Sequence, residues 1–371
     1  MSDYAICKRC VMDSSMPGTT FDLNGICNNC HHFDEMASLT WFPDASGQEH
    51  IDRLVYEIKQ NAHGKDYDCI LGLSGGVDSS YLALKLHEWG LRTLAVHVDA
   101  GWNTEKAVRN INAVLDYTNF DLCTEVVDWK TMKDLQAAYF RSGVKNQDVP
   151  QDHVFMATLF HFSRKFGIKS IISGHNFATE SVPMIWQHSA MDRINLRSIH
   201  KAYGLRSLRG YRTVSFLDFY LIDPIMRGIK FHRPLNFLPY DKKAALEDLE
   251  KIGWRRYPRK HGESEFTKFF QDYYLPVKFG IDKRRVHLSS MILSGQISRY
   301  QALHELNTPT YDESAVNRDI EYFCKKIGIV RTEFNEIMAR IPKDHLDFRS
   351  WNFLISSFRW VRRILRVSPL G

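Results

Sequence analysis

The stretch Cys69-Ile70-Leu71-Gly72-Leu73-Ser74-Gly75-Gly76-Val77-Asp78-Ser79-Ser80 decides the fold expected for this chain. Its first five residues form a short apolar run that ends at a glycine-rich turn, which is typical of a buried β-strand. Residues 79–89 follow with apolar side chains spaced for one face of a helix, and Gly90 suits its C-terminal cap. The order strand, glycine-rich turn and helix predicts the first unit of a parallel α/β sheet.

Strand-like and helix-like patterns alternate along the following hundred or so positions. Further strands are predicted over residues 94–98, 122–127 and 168–173, with a helix over residues 152–166. This alternation predicts a parallel sheet with helices on both faces, so the expected fold class is a doubly wound α/β domain. Another helix is expected after the capping residue Asn103, with a core face of Ala107, Val108, Ile111, Val114 and Leu115.

The chain divides into three predicted regions. Residues 1–45 contain paired cysteines and several turn-forming residues, residues 46–240 form the α/β domain, and residues 241–371 show mainly helical periodicity. We expect the last region to bind substrate or a partner. Within it, helices are predicted over residues 243–252, 317–327 and 332–339.

Composition excludes several classes of protein. Apolar residues make up 44% of the 371 residues and charged residues 25%, which is ordinary for globular chains. The net charge of +6 suits anionic small molecules and does not by itself indicate nucleic acid. No apolar run approaches the ~20 residues needed to span a bilayer, and the start Met1-Ser2-Asp3-Tyr4 lacks the features of a secretory signal. A cytoplasmic protein without a transmembrane segment is therefore expected.

The glycine-rich turn has the features of a phosphate-binding loop. Gly75 and Gly76 let backbone N–H groups approach an anion, and the positive end of the following helix faces the same point. Asp78 supplies a carboxylate for the Mg²⁺ that accompanies phosphates. The alternative is a turn that binds nothing, and no Walker A sequence occurs in the chain. The residues expected to bind are Ser74, Gly75, Gly76, Val77, Asp78, Ser79 and Ser80, of which the serines add hydroxyl donors.

This loop resembles the S-G-G-x-D-S signature of the PP-loop ATP pyrophosphatases, which belong to the adenine-nucleotide alpha hydrolase superfamily. The resemblance implies binding of ATP with Mg²⁺, an adenylylated intermediate and release of pyrophosphate. It also implies adenine contacts from residues 97–102 and matches residues 174–180 to the G-H-N segment of these enzymes. Both segments follow predicted parallel strands, where open α/β sheets bind ligands. The implied binding residues are His97, Asp99, Gly174, His175, Asn176 and Glu180, with a solvated helix-start carboxylate as the alternative for Glu180.

Two C-x-x-C pairs predict a metal site. Cys7, Cys10, Cys27 and Cys30 give the spacing C-x2-C-x16-C-x2-C, which is within the range for a tetrahedral zinc site. A reducing compartment disfavours a disulfide, and two pairs argue against a redox dithiol. Four thiolates leave no open position, so the Zn²⁺ is expected to be structural. A zinc ribbon that binds nucleic acid stays open as an alternative, although this segment has few aromatic residues and little basic character.

Several stretches outside the loop carry a second resemblance. They are Cys7-Lys8-Arg9-Cys10-Val11-Met12-Asp13, Gly25-Ile26-Cys27-Asn28-Asn29-Cys30, Arg233-Pro234-Leu235, Tyr240-Asp241-Lys242, Gly253-Trp254-Arg255, Lys260-His261-Gly262-Glu263-Ser264, Phe266-Thr267-Lys268-Phe269-Phe270-Gln271, Lys278-Phe279-Gly280 and Asp282-Lys283-Arg284. Together they resemble the N-acetyl sugar amidotransferases of O-antigen and nonulosonic-acid biosynthesis. This resemblance covers nearly the whole chain, so it is more specific than the loop alone.

The second resemblance implies conversion of an acetamido group of a nucleotide-linked sugar into an acetamidino group. An amide oxygen is a poor leaving group, so ATP would adenylylate it and ammonia would then displace AMP. Lys260 and Lys268 are the candidates for stabilising phosphate charge in the transition state, and Glu263 for orienting substrate or accepting a proton. For each lysine the alternative is a solvated surface cation.

No glutaminase is recognisable in the sequence. An N-terminal-nucleophile glutaminase needs a cysteine where this chain has Ser2, and Cys69 and Cys123 lack the context of a nucleophile elbow. The resemblance implies separate ammonia-supplying subunits, like the glutaminase and cyclase of imidazole glycerol phosphate synthase. Two other functions stay open: a tRNA-modifying PP-loop enzyme, thiolase or lysidine synthetase, and a non-catalytic zinc-ribbon interaction protein. A persulfide cysteine and a strongly basic domain would favour the first; neither is evident, so no nucleic acid is expected.

Overall fold

A five-stranded parallel sheet lies at the centre of the computed structural model, which describes residues 4–257, 262–354 and 357. The strands are β1 (Cys69–Gly72), β2 (Thr93–Asp99), β3 (Asp121–Val126), β4 (Ser170–Ile172) and β5 (Lys230–His232). Their order is β3-β2-β1-β4-β5, and each neighbouring pair is parallel. The four predicted strands are confirmed. The fifth has three residues and no apolar run, which is why it was not predicted.

Helices cover both faces of this sheet and make up most of the C-terminal part. The α-helices are α1 (Asn28–Thr40), α2 (Ala45–Asn61), α3 (Val77–Glu88), α4 (Glu105–Thr118), α5 (Trp129–Ser142), α6 (Val149–Phe166), α7 (Phe177–Glu180), α8 (Arg193–Tyr203), α9 (Lys242–Lys251), α10 (Glu265–Phe269), α11 (Leu275–Phe279), α12 (Arg284–Leu293), α13 (Arg299–Leu306), α14 (Val316–Ile327) and α15 (Arg331–Ala339). Segments Asp218–Met226 and Phe270–Tyr274 are π-helical, and Pro234–Phe237 and His345–Asp347 are 3₁₀ turns. None of these helices combines the length and hydropathy that a membrane crossing requires.

Alternate strand residues pack on opposite faces of the sheet. Ile70 and Leu94 belong to a cluster with Phe162 of α6, whereas Leu71 and Ala95 belong to a cluster with side chains of α3 and α4. Successive side chains of a strand point to opposite sides, so both faces of the sheet are buried. The predicted doubly wound α/β class is confirmed.

Two details of α4 differ from the prediction. Thr104, not Asn103, caps the helix, because its hydroxyl accepts a hydrogen bond from the backbone N–H of Ala107 at 3.1 Å. Asn103 instead donates its side-chain amide to His97 and Asp99. Val108, predicted for the core face, is 47% exposed, since the buried stripe runs through Asn110 in its place.

Helix α5 was not predicted because it carries no single apolar stripe. Buried residues surround it almost completely, and they include the polar side chains of Asp134, Gln136 and Ser142. A helix that is buried on all sides loses the periodic pattern from which helices are recognised. Helix α8 was hidden for another reason: only two of its buried residues, Leu196 and Ile199, are apolar, and the other two are Asn195 and His200.

The strand order creates a crevice at one position of the sheet. The chain runs from β1 outward through β2 to β3, and then crosses to the other side of β1 to form β4 and β5. The segments that follow β1 and β4 therefore leave neighbouring strands toward opposite sides. Such a switch point, at the carboxyl ends of parallel strands, is where open α/β sheets bind ligands.

The N-terminal cysteine segment packs on helices near the other end of the chain. Val11 donates its backbone N–H to the hydroxyl of Ser289 on α12 at 3.2 Å. Arg299 on α13 donates to the carbonyls of Cys7 and Cys10 at 2.8 to 3.2 Å. The cysteines share one hydrophobic cluster with residues of α5, α12 and α14. The division into three domains with the predicted boundaries stays a prediction.

Candidate active site

The glycine-rich loop lies at the switch point, between β1 and α3. Gly75 has φ of +82°, and a Cβ at this position would lie 2.8 Å from the carbonyl oxygen of Ala107, so only glycine fits without strain. Gly76 is the N-cap residue of α3, and its N–H is 3.2 Å from the hydroxyl of Ser74. The Ser74 hydroxyl also lies 3.1 Å from that of Ser79. Backbone N–H groups, two hydroxyls and a helix N-terminus thus converge on one point, an arrangement suited to an anion.

Ser80 does not contribute a hydroxyl to this loop, which corrects the expectation. Its side chain is fully buried and accepts a hydrogen bond from the indole N–H of Trp254 at 3.2 Å. Its backbone N–H bonds to the carbonyl of Gly76 at 3.1 Å, as in a helical turn. Ser80 therefore fixes the packing of α3 instead of facing a ligand. Val77, in contrast, lines the cavity beside the loop.

The segment after β4 touches the glycine-rich loop directly. A Cβ on Gly174 would lie 2.9 Å from the backbone nitrogen of Ser79, so the absence of a side chain permits this approach. Asn176 joins the two segments: its side-chain amide donates to Asp78 Oδ1 at 3.2 Å, and its oxygen accepts the N–H of Thr179 at 2.9 Å. The structure therefore brings together the loop residues and the residues of the segment 174–180.

Asp78 is held by a second partner, Tyr240, which sequence analysis did not single out for this role. The Tyr240 hydroxyl donates to Asp78 Oδ1 at 2.5 Å. Burial, together with the nearby negative charge of Asp78, raises the pKa of Tyr240 well above its usual value. The tyrosine therefore remains a donor, and both bonds go to the same carboxylate oxygen.

Both ring nitrogens of His97 form hydrogen bonds within the protein. Its Nδ1 lies 2.9 Å from the carbonyl oxygen of Leu73 and its Nε2 lies 3.0 Å from the side-chain amide of Asn103. Since a carbonyl only accepts, Nδ1 carries the proton, and Nε2 accepts from the amide. His97 thus ties the end of β1 to β2 and has no ring nitrogen left for adenine. Asp99 Oδ1 similarly accepts the N–H of Gly101 at 2.8 Å.

Trp102, within the segment expected to contact adenine, is also turned away. It is 1% exposed and packs edge-on against Trp129 with ring centroids 5.4 Å apart. It lies in the core near Phe266, so it makes no surface for a base. The backbone and apolar side chains of the segment, including Val98, do line a cavity.

His175 and Glu180 form a pair beside the loop. The Nδ1 atom of His175 hydrogen-bonds to Glu180 Oε2. Arg233 is close enough for its charge to interact with Glu180, and burial lowers the pKa of this arginine below its ordinary value. The side chain of Glu180, at the end of the four-residue helix α7, is 23% exposed and lines two cavities.

Two adjoining cavities open at the loop. The strand-end cavity has a volume of about 660 Å³ and extends along the ends of β1 and β2 toward α6. The loop cavity has a volume of about 670 Å³ and extends from the loop toward α9 and α12. Both lie within the size range of small-molecule sites. The residues that line both are Ser74, His175, Glu180, Glu263, Gln271, Lys283 and His287.

Glu263 lies beside the glycine-rich loop. Its Oε1 lies 3.3 Å from where a Cβ on Gly76 would be, and its backbone carbonyl accepts the N–H of Thr104 at 3.0 Å. Through these contacts the segment before α10 is fixed across the mouth of the loop. The side chain is positioned to act on a group bound there, and that role stays a prediction.

Lys268, one of the two lysines proposed from the sequence, is not brought to this site. Lys268 on α10 lies 3.9 Å from Asp319, and both side chains are a little under half exposed. It lines neither cavity, because Ser264, Thr267 and Gln271 form the helix face toward them. Lys268 therefore fits the alternative of a surface cation. Lys260 lies outside the described residues.

Lys283 is the lysine that the fold places here. It precedes α12, is 6% exposed and lines both cavities. Lysine is almost never this buried unless it is paired, so burial beside the loop marks it as a candidate for neutralising negative charge. The sequence held one signal for it, since Asp282-Lys283-Arg284 is among the stretches that carry the family resemblance.

The four cysteines of the paired knuckles meet in a buried cluster. Their sulfur atoms all lie within 4.8 Å of one another. The Cys7–Cys30, Cys10–Cys27 and Cys27–Cys30 separations are 3.7, 3.5 and 3.6 Å. A tetrahedron with Zn–S bonds of about 2.3 Å has edges of about 3.8 Å, so the cluster fits Zn²⁺.

The chemistry of these thiols supports the same ion. Backbone N–H groups of Arg9, Cys10 and Cys27 point at the sulfur of Cys7 at 3.3 to 3.4 Å. A hydrogen bond from Cys10, followed by these backbone bonds, lowers the pKa of Cys7 to about 6, while the same crowding raises that of Cys10. Four thiolates this close repel one another unless a cation lies between them.

Comparison with known proteins bears on the C-terminal part of the chain. Residues 263–363 match the family model described as LPS biosynthesis protein WbpG-like, C-terminal domain. The match confirms the resemblance seen in the sequence. The matched segment contains Glu263 and Lys283, which border both cavities.

Solved structures resemble the chain only distantly. They include an NH3-dependent NAD synthetase from Campylobacter jejuni, with 12% identity and a TM-score of 0.29, and an NMN synthetase from Francisella tularensis, with 14% identity and a TM-score of 0.27. Each covers 58% of this chain and 99% of the other chain. Scores this low carry no weight for the function. No curated protein sequence matches the chain.

Proposed function

We propose that this chain is an ATP-dependent amidotransferase of bacterial surface polysaccharide biosynthesis. It adenylylates the acetamido group of a nucleotide-linked sugar and replaces the oxygen with ammonia to give an acetamidino group, AMP and pyrophosphate. The observation that carries this proposal is the glycine-rich loop at the switch point of the sheet, where two cavities meet. The WbpG-like match of residues 263–363 supports the sugar pathway.

The loop supports ATP as the activating substrate. Phosphates favour the N–H groups and the helix N-terminus at Gly75 and Gly76. Asp78 would hold the accompanying Mg²⁺, since its carboxylate is fixed by Asn176 and Tyr240 at the first turn of α3. The Mg²⁺ ion would screen the repulsion between the phosphates and the carboxylate of Asp78, so that the carboxylate can stay in place. Two cavities joined at this point suit two substrates that react with each other.

The remaining side chains fit amide activation. The amide oxygen attacks the α-phosphorus of ATP, pyrophosphate leaves, and ammonia then forms the new C–N bond as the C–O bond to AMP breaks. Lys283, buried between the two cavities, would stabilise negative charge on the phosphates in both steps. Glu263, across the loop, would orient the acetamido group or accept a proton. Lys283 takes the place of Lys268 as a candidate for stabilising this phosphate charge, while Lys260, outside the described residues, stays a prediction.

Zinc has no chemical step in this proposal. Four cysteine ligands close the coordination sphere, so the ion would hold the N-terminal segment in its fold. The contacts of that segment with α12 and α13 would let it support the elements that carry Lys283. A structural role of this kind predicts that zinc content and fold are lost together.

The decisive experiment supplies the chain with ATP, Mg²⁺, ammonium and a panel of nucleotide-linked acetamido sugars. Mass spectrometry should show one sugar with O exchanged for NH, together with AMP and pyrophosphate. Asp78→Asn should abolish both products, while the matched change Asp248→Asn on α9, where the carboxylate pairs with Lys251 at 2.7 Å, should leave them unchanged. Modification of tRNA with no change in any sugar would favour the alternative, a tRNA-modifying enzyme, and overturn this proposal.

The ammonia source forms a separate part of the proposal. We infer that ammonia comes from a partner pair of glutaminase and cyclase type. The chain alone should then use ammonium and fail with glutamine, and addition of the partner subunits should restore glutamine-dependent turnover. Use of glutamine by the purified chain would contradict this inference.

A further inference from the structure

The strand-end cavity contains an arginine that the proposed chemistry does not use. Arg233 follows β5 directly, and the backbone N–H of Ser173, at the end of β4, donates to the carbonyl of His232 at 2.9 Å. This contact fixes the end of β5 beside the segment that follows β4, at the carboxyl edge of the sheet. Arg233 lines the strand-end cavity there and is partly exposed, so it keeps surface that a ligand can reach.

The guanidinium of Arg233 makes no hydrogen bond or ion pair with any residue that the structure describes. The negative charge of Glu180 attracts it from nearby, and the carboxylate of Glu180 hydrogen-bonds to His175. Burial lowers the pKa of Arg233, which means that part of the water around its charge has been removed. A guanidinium has five N–H donors and stays charged in proteins. Removing water from these donors without supplying acceptors costs free energy, which a bound anion would recover.

Other arginines that line the two cavities already have carboxylate partners. Arg284 lines the loop cavity and donates to both carboxylate oxygens of Asp282 at 2.7 to 3.2 Å. Arg256 lines the same cavity and donates to Glu250 at 2.5 and 2.9 Å. Among the cavity-lining arginines in the described part of the chain, Arg233 is therefore the one whose donors are open to a ligand.

The rest of the strand-end cavity indicates that this ligand is a nucleotide. Apolar side chains that suit a planar base form part of its wall, among them Phe155, Leu159 and Met184. Ser74, at the start of the glycine-rich loop, lines the same cavity. A nucleotide with its base against this wall and its outer phosphates at the loop has its α-phosphate inside the cavity that Arg233 borders.

We propose that Arg233 binds the α-phosphate of ATP and keeps it bound after pyrophosphate has left the loop. A guanidinium fork matches two oxygens of one phosphate, whereas the ammonium group of lysine acts as a single point charge. This inference rests on the proposed function, because that reaction divides ATP into a part that leaves and a part that stays. The loop would hold the first part, and Arg233 would hold the second.

The same contact would favour the second step of the reaction. In the adenylylated imidate the α-phosphate is bonded to two carbon-linked oxygens and carries a single negative charge. Ammonia forms the new C–N bond with its own electron pair, and the C–O bond breaks with its electron pair remaining on the oxygen of AMP. The positive charge stays on the nitrogen atoms, and AMP gains a second negative charge. A cation fixed at this phosphate stabilises charge that develops in that step.

The test measures binding of AMP, adenosine and magnesium pyrophosphate to the full chain by isothermal titration calorimetry. Arg233→Gln should weaken AMP binding about tenfold or more, because charged hydrogen bonds to the phosphate are lost. The same change should alter the affinity for adenosine and for pyrophosphate by less than about twofold. Ser74→Ala should show the opposite preference, with pyrophosphate weakened about fivefold and AMP weakened less.

Two further variants serve as controls. Arg233→Lys keeps the positive charge and loses the fork, so its affinity for AMP should lie between those of wild type and Arg233→Gln. Arg109→Gln changes an exposed arginine of α4 in a different groove and should leave the binding of all three probes unchanged. Opposite preferences in the Arg233 and Ser74 variants cannot both arise from unfolding, and circular dichroism checks each variant.

Three results would overturn the inference. They are failure of the wild type to bind AMP, equal affinity of wild type and Arg233→Gln for AMP, and equal weakening of AMP and adenosine. Weaker binding of the sugar substrate identified by the turnover assay, with AMP binding unchanged, would also overturn it, because the anion would then belong to the sugar. Binding of the three probes requires no turnover, so the assay with ammonium and sugars judges the proposed function separately.

Discussion

Lys268 and Lys283 lie fifteen positions apart, and the fold places their ammonium groups in different surroundings. The first stands on the outer face of α10 beside Asp319, where water and salt screen its charge. The second is enclosed between two cavities, where a charge acts over a longer range because little water lies nearby. The sequence analysis singled out Lys268 and not Lys283, and the burial of Lys283 in the folded chain reverses that choice.

Exchange of each lysine for glutamine should separate these roles. Lys283→Gln should lower kcat/KM for the sugar about a hundredfold, since a fixed cation beside the phosphates is lost. Lys268→Gln should change it by less than about threefold, because an exposed ion pair contributes little. Steady-state kinetics with ammonium as nitrogen donor measure both. A larger loss for Lys268→Gln than for Lys283→Gln would contradict this assignment.

Tyr240 offers a second test at the level of one residue. Tyr240→Phe removes only the hydroxyl that donates to Asp78 Oδ1 and leaves the ring in its packing. Because hydrogen bonds to charged groups are among the stronger ones, we expect kcat to fall about tenfold. Tyr81→Phe is the matched control, since the centroid of that ring lies 5.6 Å from that of Tyr240 and its hydroxyl interacts with Lys85. Equal rates for the two variants would exclude the positioning role.

The decisive contact between elements is the approach of the β4 segment to the start of α3. Gly174 lies so close to the backbone of Ser79 and Asp78 that a single methyl group would meet it at 2.9 to 3.2 Å. Backbone atoms yield less readily than flexible side chains, so the two segments must separate if a methyl group is added. The geometry of the phosphate loop therefore depends on a residue almost a hundred positions away in the sequence.

Gly174→Ala should therefore raise KM for ATP by about tenfold while the fold is retained. Gly72→Ala is the control, since its methyl group would meet only the side chain of Leu159 at 3.4 Å, an ordinary contact. Initial rates at varied ATP concentration and thermal melts measure the two effects. An unchanged KM for ATP in Gly174→Ala would contradict this prediction, because it would show that the two segments tolerate separation.

Local sequence predicts the elements and not their mutual contacts. The strand, turn and helix around Gly75 were predicted because periodicity and glycine act within a few residues. Ser80 was assigned wrongly because the partner of its hydroxyl, Trp254, lies 174 positions away. The contact of Tyr240 with Asp78 was missed for the same reason, because the two residues lie 162 positions apart and only the folded chain brings them together.

Across the whole molecule, the cysteine cluster is joined to the region that carries Lys283. Arg285 on α12 forms an ion pair with the buried Asp13 at 2.9 Å, and it also donates to the carbonyl of Val11 at 2.8 Å. The metal site is thus a support for α12 and, through it, for the border of both cavities. Loss of the metal should therefore destabilise α12 and the border of the cavities, far from the cysteines themselves.

Cys10→Ser, or removal of Zn²⁺ by a chelator, should lower the free energy of unfolding by about 4 kcal/mol or more, because ligand loss undoes a folded metal site. Hydrogen exchange should accelerate in α12 and α13 before it does in β1 and β2. Cys123→Ser serves as the control, since that cysteine lies on β3 outside the cluster. Retention of one bound zinc per chain in Cys10→Ser would contradict the proposed ligand set.

The contact between Val11 and Ser289 also sets an order of events during synthesis. The two residues are 278 positions apart, so at a ribosomal rate of about 5 to 20 residues per second the first waits on the order of tens of seconds for the second. Throughout that time four closely spaced thiols and their apolar neighbours lack the surface that later covers them. Early capture of zinc would hold the segment closed during this wait, so a cell short of zinc should accumulate aggregated nascent chains more than inactive finished protein.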